Sequence, residues 1–241
     1  MARVGGGRRH LKRIAAPKAL KIKRKRRFGV WITKPSPGPH PQERSIPLRV
    51  LVRDYLGLAR NAREADFIIK RGKVLVDGRV RKDPKFPVGL FDVVEIPEVE
   101  KVYRIILDEK GRLIPKEIND SEKNYKLVRI EKKKMVKGGI FQLSTHDGRS
   151  FLLKETDLRP GDVMKIEVPS QKIVDTYKLE PGNLVYILSG RHAGTIGTIK
   201  GLEKGDLVRP SLVKVEVENE TIETAKKNVF VVGKSAPVIT L

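Results

Sequence analysis

From Met1 to Gln42 the chain contains no aspartate and no glutamate; the first acidic residue is Glu43. The same stretch holds thirteen Lys or Arg, including the run Lys21, Lys23, Arg24, Lys25, Arg26 and Arg27. Thirteen of the net +22 charges therefore sit in this leader, and the remainder carries 38 basic against 29 acidic residues, about +9. A segment that repels itself this strongly is not expected to fold alone. It calls for a polyanion, and nucleic acid carries the densest fixed negative charge.

The rest of the composition narrows the class. A length of 241 residues leaves room for one or two ordinary domains, or three small ones. The absence of cysteine excludes disulfides, thiol catalysis and Cys-based zinc sites together. No apolar run approaches the ~18 residues of a membrane span. The leader lacks the apolar centre of a secretory signal. Its compact Lys/Arg blocks and scarcity of serine also argue against a transit peptide.

Within the leader, Gly5-Gly6-Gly7 precedes a basic stretch in which Leu11, Ile14, Ala15, Ala16, Leu20 and Ile22 can support short helical turns. Pro35, Pro37, Pro39 and Pro41 alternate with other residues, which predicts an extended, semi-rigid connector. Between them lies Phe28-Gly29-Val30-Trp31-Ile32, with the only tryptophan. An aromatic and apolar cluster in so basic a tail points to a segment that orders on RNA. Trp31 is expected to pack against protein rather than to stack on a base.

Residues 43–97 read as a first folded domain. Leu48, Leu51, Val52, Tyr55 and Leu56 form a helical stripe over Ile46 to Leu56, with Arg49 and Arg53 together on the other face. Asn61, with Glu64 three residues on, predicts the capped start of a second helix from Ala62 to Lys70. Asp77-Gly78 between Lys73–Val76 and Arg79-Val80 is a hairpin signal, and a further strand is expected from Asp92 to Ile96. This order resembles the S-four-type (alpha-L) RNA-binding domain, whose pattern is met at Ile69, Gly72, Val74, Val76, Gly78, Asp92, Val94 and Ile96. The resemblance implies that basic side chains on helices and hairpin grip RNA backbone. The candidates are Arg49, Arg53, Arg60, Arg63, Lys70, Arg71, Lys73, Arg79, Arg81 and Lys82, joined in the leader by Arg8, Arg9, Lys12, Arg13, Lys21, Lys23, Arg24, Lys25, Arg26 and Arg27.

Residues 98–170 read as a β-rich central domain, a small barrel or sandwich with no evident active site. Strands are expected at Val102–Asp108, Tyr125–Ile130, Gly139–Thr145 and Val163–Val168, with a second Asp-Gly turn at His146–Arg149 and a basic patch of Lys132, Lys133, Lys134 and Lys137. In residues 171–241, Gly182 to Ile199 resembles a KOW motif, the mark of a small SH3-like barrel. Its glycines at 190, 194 and 197 permit sharp turns and close backbone approach to a ligand. By that resemblance Arg191 and His192 are the contacting side chains. The spacing is neither a Walker A loop nor a dinucleotide fingerprint.

Nothing here points to catalysis. The histidines at 10, 40, 146 and 192 are scattered, without zinc spacing, and no segment is left to supply a catalytic domain. The expected fold is α+β and mostly β: basic N-terminal extension (1–42), S-four-type domain (43–97), β-rich central domain (98–170) and KOW barrel (171–241). That order, with "HLKRIAAPKAL" and "PSPGPHPQERSIPL" in the leader, resembles the small-subunit ribosomal "S-four-e" family of archaea and eukaryotes. The resemblance implies a cytoplasmic, ribosome-bound protein that stabilises small-subunit ribosomal RNA. Its partners are then that RNA and neighbouring ribosomal proteins, with no membrane, cofactor, metal or small-molecule substrate. The alternative is a KOW-containing transcription or RNA-maturation factor that binds RNA transiently.

Overall fold

The computed structural model describes residues 10–206, 210–218 and 220–241. The leader opens with β1 (Leu11–Lys12), which pairs antiparallel with β2 (Trp31–Ile32); Leu11 lies opposite Ile32 and Lys12 opposite Trp31. Side chains alternate along a strand, so Leu11 and Ile32 enter the core while Lys12 and Trp31 face out. Ala16 and Leu20 join the same core. The backbone N–H of Leu113 donates to the carbonyl of Ala19 at 2.8 Å, which fixes the leader to the rim of a sheet. A polyanion is thus not needed for order here. Apolar residues spaced among the cations anchor the segment to the protein body. Trp31 departs from expectation: it is 57% exposed rather than packed.

The next region runs β3 (Ser45–Pro47), α1 (Leu48–Val50), a π-helical turn Leu51–Tyr55, and α2 (Ala62–Lys70). The expected helix from Ile46 starts late because Ile46 precedes a proline, which biases it to extended backbone; it pairs instead with Val88. The α2 start is as expected. The Asn61 side chain accepts from the Glu64 N–H at 2.9 Å, and Glu64 accepts from the Arg60 N–H at 2.8 Å. Then come β4 (Leu75–Val76), β5 (Arg79–Val80), β6 (Pro87–Gly89), β7 (Val93–Ile96), β8 (Lys101–Leu107) and β9 (Leu113–Ile118). Asp77 and Gly78 both take positive φ, 51° and 69°, as the tight hairpin requires. One sheet has the order β5-β4-β7-β8-β9, so it crosses the expected boundary at 97/98 and takes in β9, which no expectation covered.

The central sheet is β12-β11-β10-β13-β14, from β10 (Tyr125–Val136), β11 (Ile140–Thr145), β12 (Ser150–Leu153), β13 (Val163–Glu167) and β14 (Ile173–Tyr177). The first of these strands runs past its expected end at Ile130, so Lys132–Lys134 lie inside a ribbon paired with β11. The last sheet is β18-β17-β16-β15-β19, from β15 (Leu184–Ile187), β16 (Ile196–Glu203), β17 (Leu212–Val217), β18 (Glu220–Ala225) and β19 (Val229–Gly233). One apolar core runs from Leu11 through the helices and β8 to Val229–Val232 and Ile239; a smaller cluster lies on the central sheet.

The units are also joined by buried polar contacts. Lys126, on β10, meets Asp77 at 2.8 Å, Asp147 at 3.1 Å and Asp92, all buried. His40 of the leader lies 3.0 Å from Asp92, and Arg149 binds Asp77 at 2.6 Å. Burial works to raise the Asp92 and Asp147 carboxyls, but the cations beside them outweigh it and hold both well below the usual carboxylate range. Burial pushes His146 down to about 3. Glycines let these surfaces close: a Cβ on Gly89 would lie 2.3 Å from the His40 ring. The Tyr186 hydroxyl donates to the Leu107 carbonyl at 2.9 Å and accepts from the Leu107 N–H at 3.0 Å, tying β15 to β8.

Candidate nucleic-acid interface

The cations of the leader divide into two groups. Arg24 donates to the carbonyls of Ala16 at 2.7 Å and Pro17 at 2.8 Å, and the buried Arg13 donates to the Lys23 carbonyl at 3.2 Å. These two guanidiniums hold the leader's own loop. Lys12, Lys21, Lys23, Lys25 and Arg27 are exposed. The Lys23 ammonium and the Arg27 guanidinium lie 5.0 and 4.9 Å from the Phe28 ring. Arg8 and Arg9, and the side chain of Arg26, lie outside the described residues.

Helix α2 turns its N-terminal end toward the leader, and two cavities open between them. One, of about 550 Å³, is lined by Arg13, Lys21, Lys23, Phe28, Arg53 and Arg60 among others. The other, of about 500 Å³, is lined by His10, Trp31, Thr33, Arg49, Arg53 and Lys85 among others. Arg53 and Ala62 line both, so the cavities adjoin.

The domain cations divide similarly. Arg49 is held by both oxygens of Asp66, at 2.5 and 2.7 Å, and donates to the Thr33 hydroxyl at 3.3 Å. Arg53 is held by Asp54 at 2.7 and 2.8 Å, and its hydrogen bonds to that carboxylate raise its pKa. Lys73 pairs with Glu98. Arg71 and Arg81 stack on Phe67 and Phe86, at 4.2 and 4.5 Å. Arg60, Arg63, Lys70, Arg79 and Lys82 are exposed and have no ion-pair partner among the described residues.

In the C-terminal sheet region, Arg191 is exposed and His192 half-buried. The glycine reading changes there. A Cβ on Gly194 would stand 2.6 Å from the Asp108 carbonyl, and one on Gly111 would stand 3.2 Å from Ala193. The loop is therefore docked on the β8–β9 turn, and its close backbone approach is to protein. Sequence reasoning also missed the buried roles of His40, Asp77, Lys126 and Asp147. An Asp-Gly pair signals a turn but not that the aspartate's carboxylate faces inward.

Comparison with known proteins accounts for nearly the whole chain. Residues 5–43 match the RS4NT (NUC023) domain, 47–94 the S4 domain, 99–173 the ribosomal family S4e, and 181–218 the KOW motif. The small ribosomal subunit protein eS4 of Archaeoglobus fulgidus is 51% identical over 235 residues, covering 96% of this chain and 97% of that protein. The chain belongs to the ribosomal S4e family. The eS4 of Ignicoccus hospitalis is 46% identical and covers 100% of this chain and 98% of its own. The crystal structure of the 30S ribosomal protein S4e from Thermoplasma acidophilum superposes with a TM-score of 0.71 at 35% identity, over 80% of this chain and 96% of that one. The mostly β fold with few helices, and the presence of S4 and KOW domains, agree with the sequence reading.

Proposed function

We propose that the protein is a structural, non-catalytic constituent of the small ribosomal subunit that binds ribosomal RNA and stabilises its fold, in the cytoplasm and beside other ribosomal proteins. The observation that carries this is full-length identity of 43–51% to archaeal proteins named small ribosomal subunit protein eS4. The division into leader, S4 domain, central domain and C-terminal SH3-like KOW barrel belongs to the same reading, with the S4 sheet extended to β9.

The contact surface includes the exposed cations Lys12, Lys21, Lys23, Lys25 and Arg27 in the leader, Arg60, Arg63, Lys70, Arg79, Lys82 and Lys85 in the S4 domain, and Arg191 in the KOW loop. Arg49, Arg53 and Lys73 act through the geometry their acidic partners impose, while Arg13 and Arg24 shape the leader. Each phosphate neutralised releases counterions, so affinity comes from many simultaneous contacts. A resident constituent accordingly stays with the small-subunit peak when particles sediment through sucrose at raised salt. Release of the chain under conditions that keep the subunit's other proteins bound would favour the transient factor instead.

A further inference from the structure

We infer that the leader–α2 groove holds an unpaired RNA nucleotide, with its base stacked on Trp31. This rests on the RNA-binding reading above and specifies the form of RNA the site takes. The β1–β2 register explains why the indole cannot retreat. Pairing Leu11 with Ile32 in the core forces their cross-strand neighbours, Lys12 and Trp31, to the opposite face. The indole stays 57% exposed, and its ring contact is with His10 at 5.5 Å.

The cavity beside the indole, about 500 Å³, is of ligand-pocket size. Its lining includes Arg49 and Arg53, each already neutralised by an aspartate, and the exposed Lys85, which has no ion-pair partner among the described residues and supplies the uncompensated charge. A flat aromatic surface next to an uncompensated cation is the chemistry that binds single-stranded nucleic acid: the base stacks on the indole and the phosphate meets Lys85. A duplex offers the same phosphates but keeps its base faces inside the helix.

Trp31 is the chain's only tryptophan, so its fluorescence reports contact directly. The full chain is titrated with single-stranded oligoadenylate and, separately, with an RNA duplex of equal length. Indole emission is followed with unlabelled RNA and binding by anisotropy of end-labelled RNA. The expected result is quenching that saturates together with anisotropy for the single strand, and duplex binding without quenching. Trp31→Ala then weakens single-strand affinity by about 5- to 150-fold, the range of one aromatic–base stack, and Trp31→Phe weakens it less. If Trp31→Ala fails to fold by circular dichroism, quenching of the native chain decides alone. Single-strand binding without quenching overturns the inference, as does equal quenching by duplex or by polyglutamate. No anisotropy change with either RNA removes the RNA-binding reading itself, and this inference with it.

Discussion

Replacing Lys126 by Met is the sharpest test of how the units are held together. The ammonium is buried against three carboxylates, with Asp77 at 2.8 Å and Asp147 at 3.1 Å besides Asp92. Met fills much the same volume but leaves those acids facing one another, with Arg149 and His40 as the remaining partners. Breaking a buried ionic contact from one side costs about 3–5 kcal/mol. For a chain of this size that is a fall in Tm of about 6–20 °C. The pH dependence follows from the carboxyls. Asp92 and Asp147 titrate in the fold well below the unfolded value of about 3.9, so their stabilisation is complete above that value and is lost only as pH falls through the depressed folded values. Without Lys126, burial raises their pKa values, and protonation relieves the repulsion. The gap between variant and native protein therefore narrows as pH drops from 7 toward about 4. Urea melts at several pH values measure it, and adding Asp92→Asn to Lys126→Met recovers part of the loss at pH 7. A deficit below about 1 kcal/mol at pH 7, or one independent of pH, would refute the reasoning.

Tyr186→Phe removes one hydroxyl and two hydrogen bonds to Leu107, so stability falls by about 1–3 kcal/mol in a thermal melt. Arg79→Ala and Arg81→Ala separate: the first weakens RNA binding in a filter assay with Tm unchanged, whereas the second also lowers Tm, because it removes the stacking of Arg81 on Phe86. Asn61→Ala lowers stability by about 1 kcal/mol through loss of the α2 cap. Changing Lys12, Lys21, Lys23 and Lys25 to Gln flattens the log–log salt dependence of RNA affinity by about 0.7–0.9 for each phosphate left without its cation, with Tm unchanged. Deleting residues 1–42 lowers Tm as well.

Local signals were legible in the sequence wherever neighbouring residues decide the outcome. The Asn61–Glu64 capping pair set the start of α2, and Asp77-Gly78 set its hairpin, because a few adjacent hydrogen bonds and φ angles suffice. Long-range pairing was not legible. β9 carries Pro115 and a mixed pattern, and it becomes a strand because β8 and the leader flank it. Tyr125 to Val136 reads as a strand only until the lysines begin, since pairing with β11 is what carries it to Val136. The cations themselves are visible in the sequence, but their division into acid-paired and unpaired is not. Arg49 and Arg60 look alike in sequence, and the partner that sets them apart is Asp66, on another helix.

That division changes how the charge of the leader works. A free cationic tail would pay its ordering entropy at the moment of binding, roughly 1–2 kcal/mol for each backbone residue fixed. Here Leu11, Ala16, Leu20 and Ile32 already lie in the common core, Pro39 packs near Gly148, and His40 is buried against Asp92. Much of that entropy is therefore lost when the protein folds rather than when it meets RNA. The exposed lysines between these anchors stand at fixed spacing before any phosphate arrives. Preorganised charge of this kind favours one RNA geometry over others, which an unanchored tail of equal charge cannot do. On the proposed RNA-binding reading, the acid-free composition serves a surface whose exposed lysines meet phosphate, and the apolar anchors among residues 11–32 hold those lysines in place.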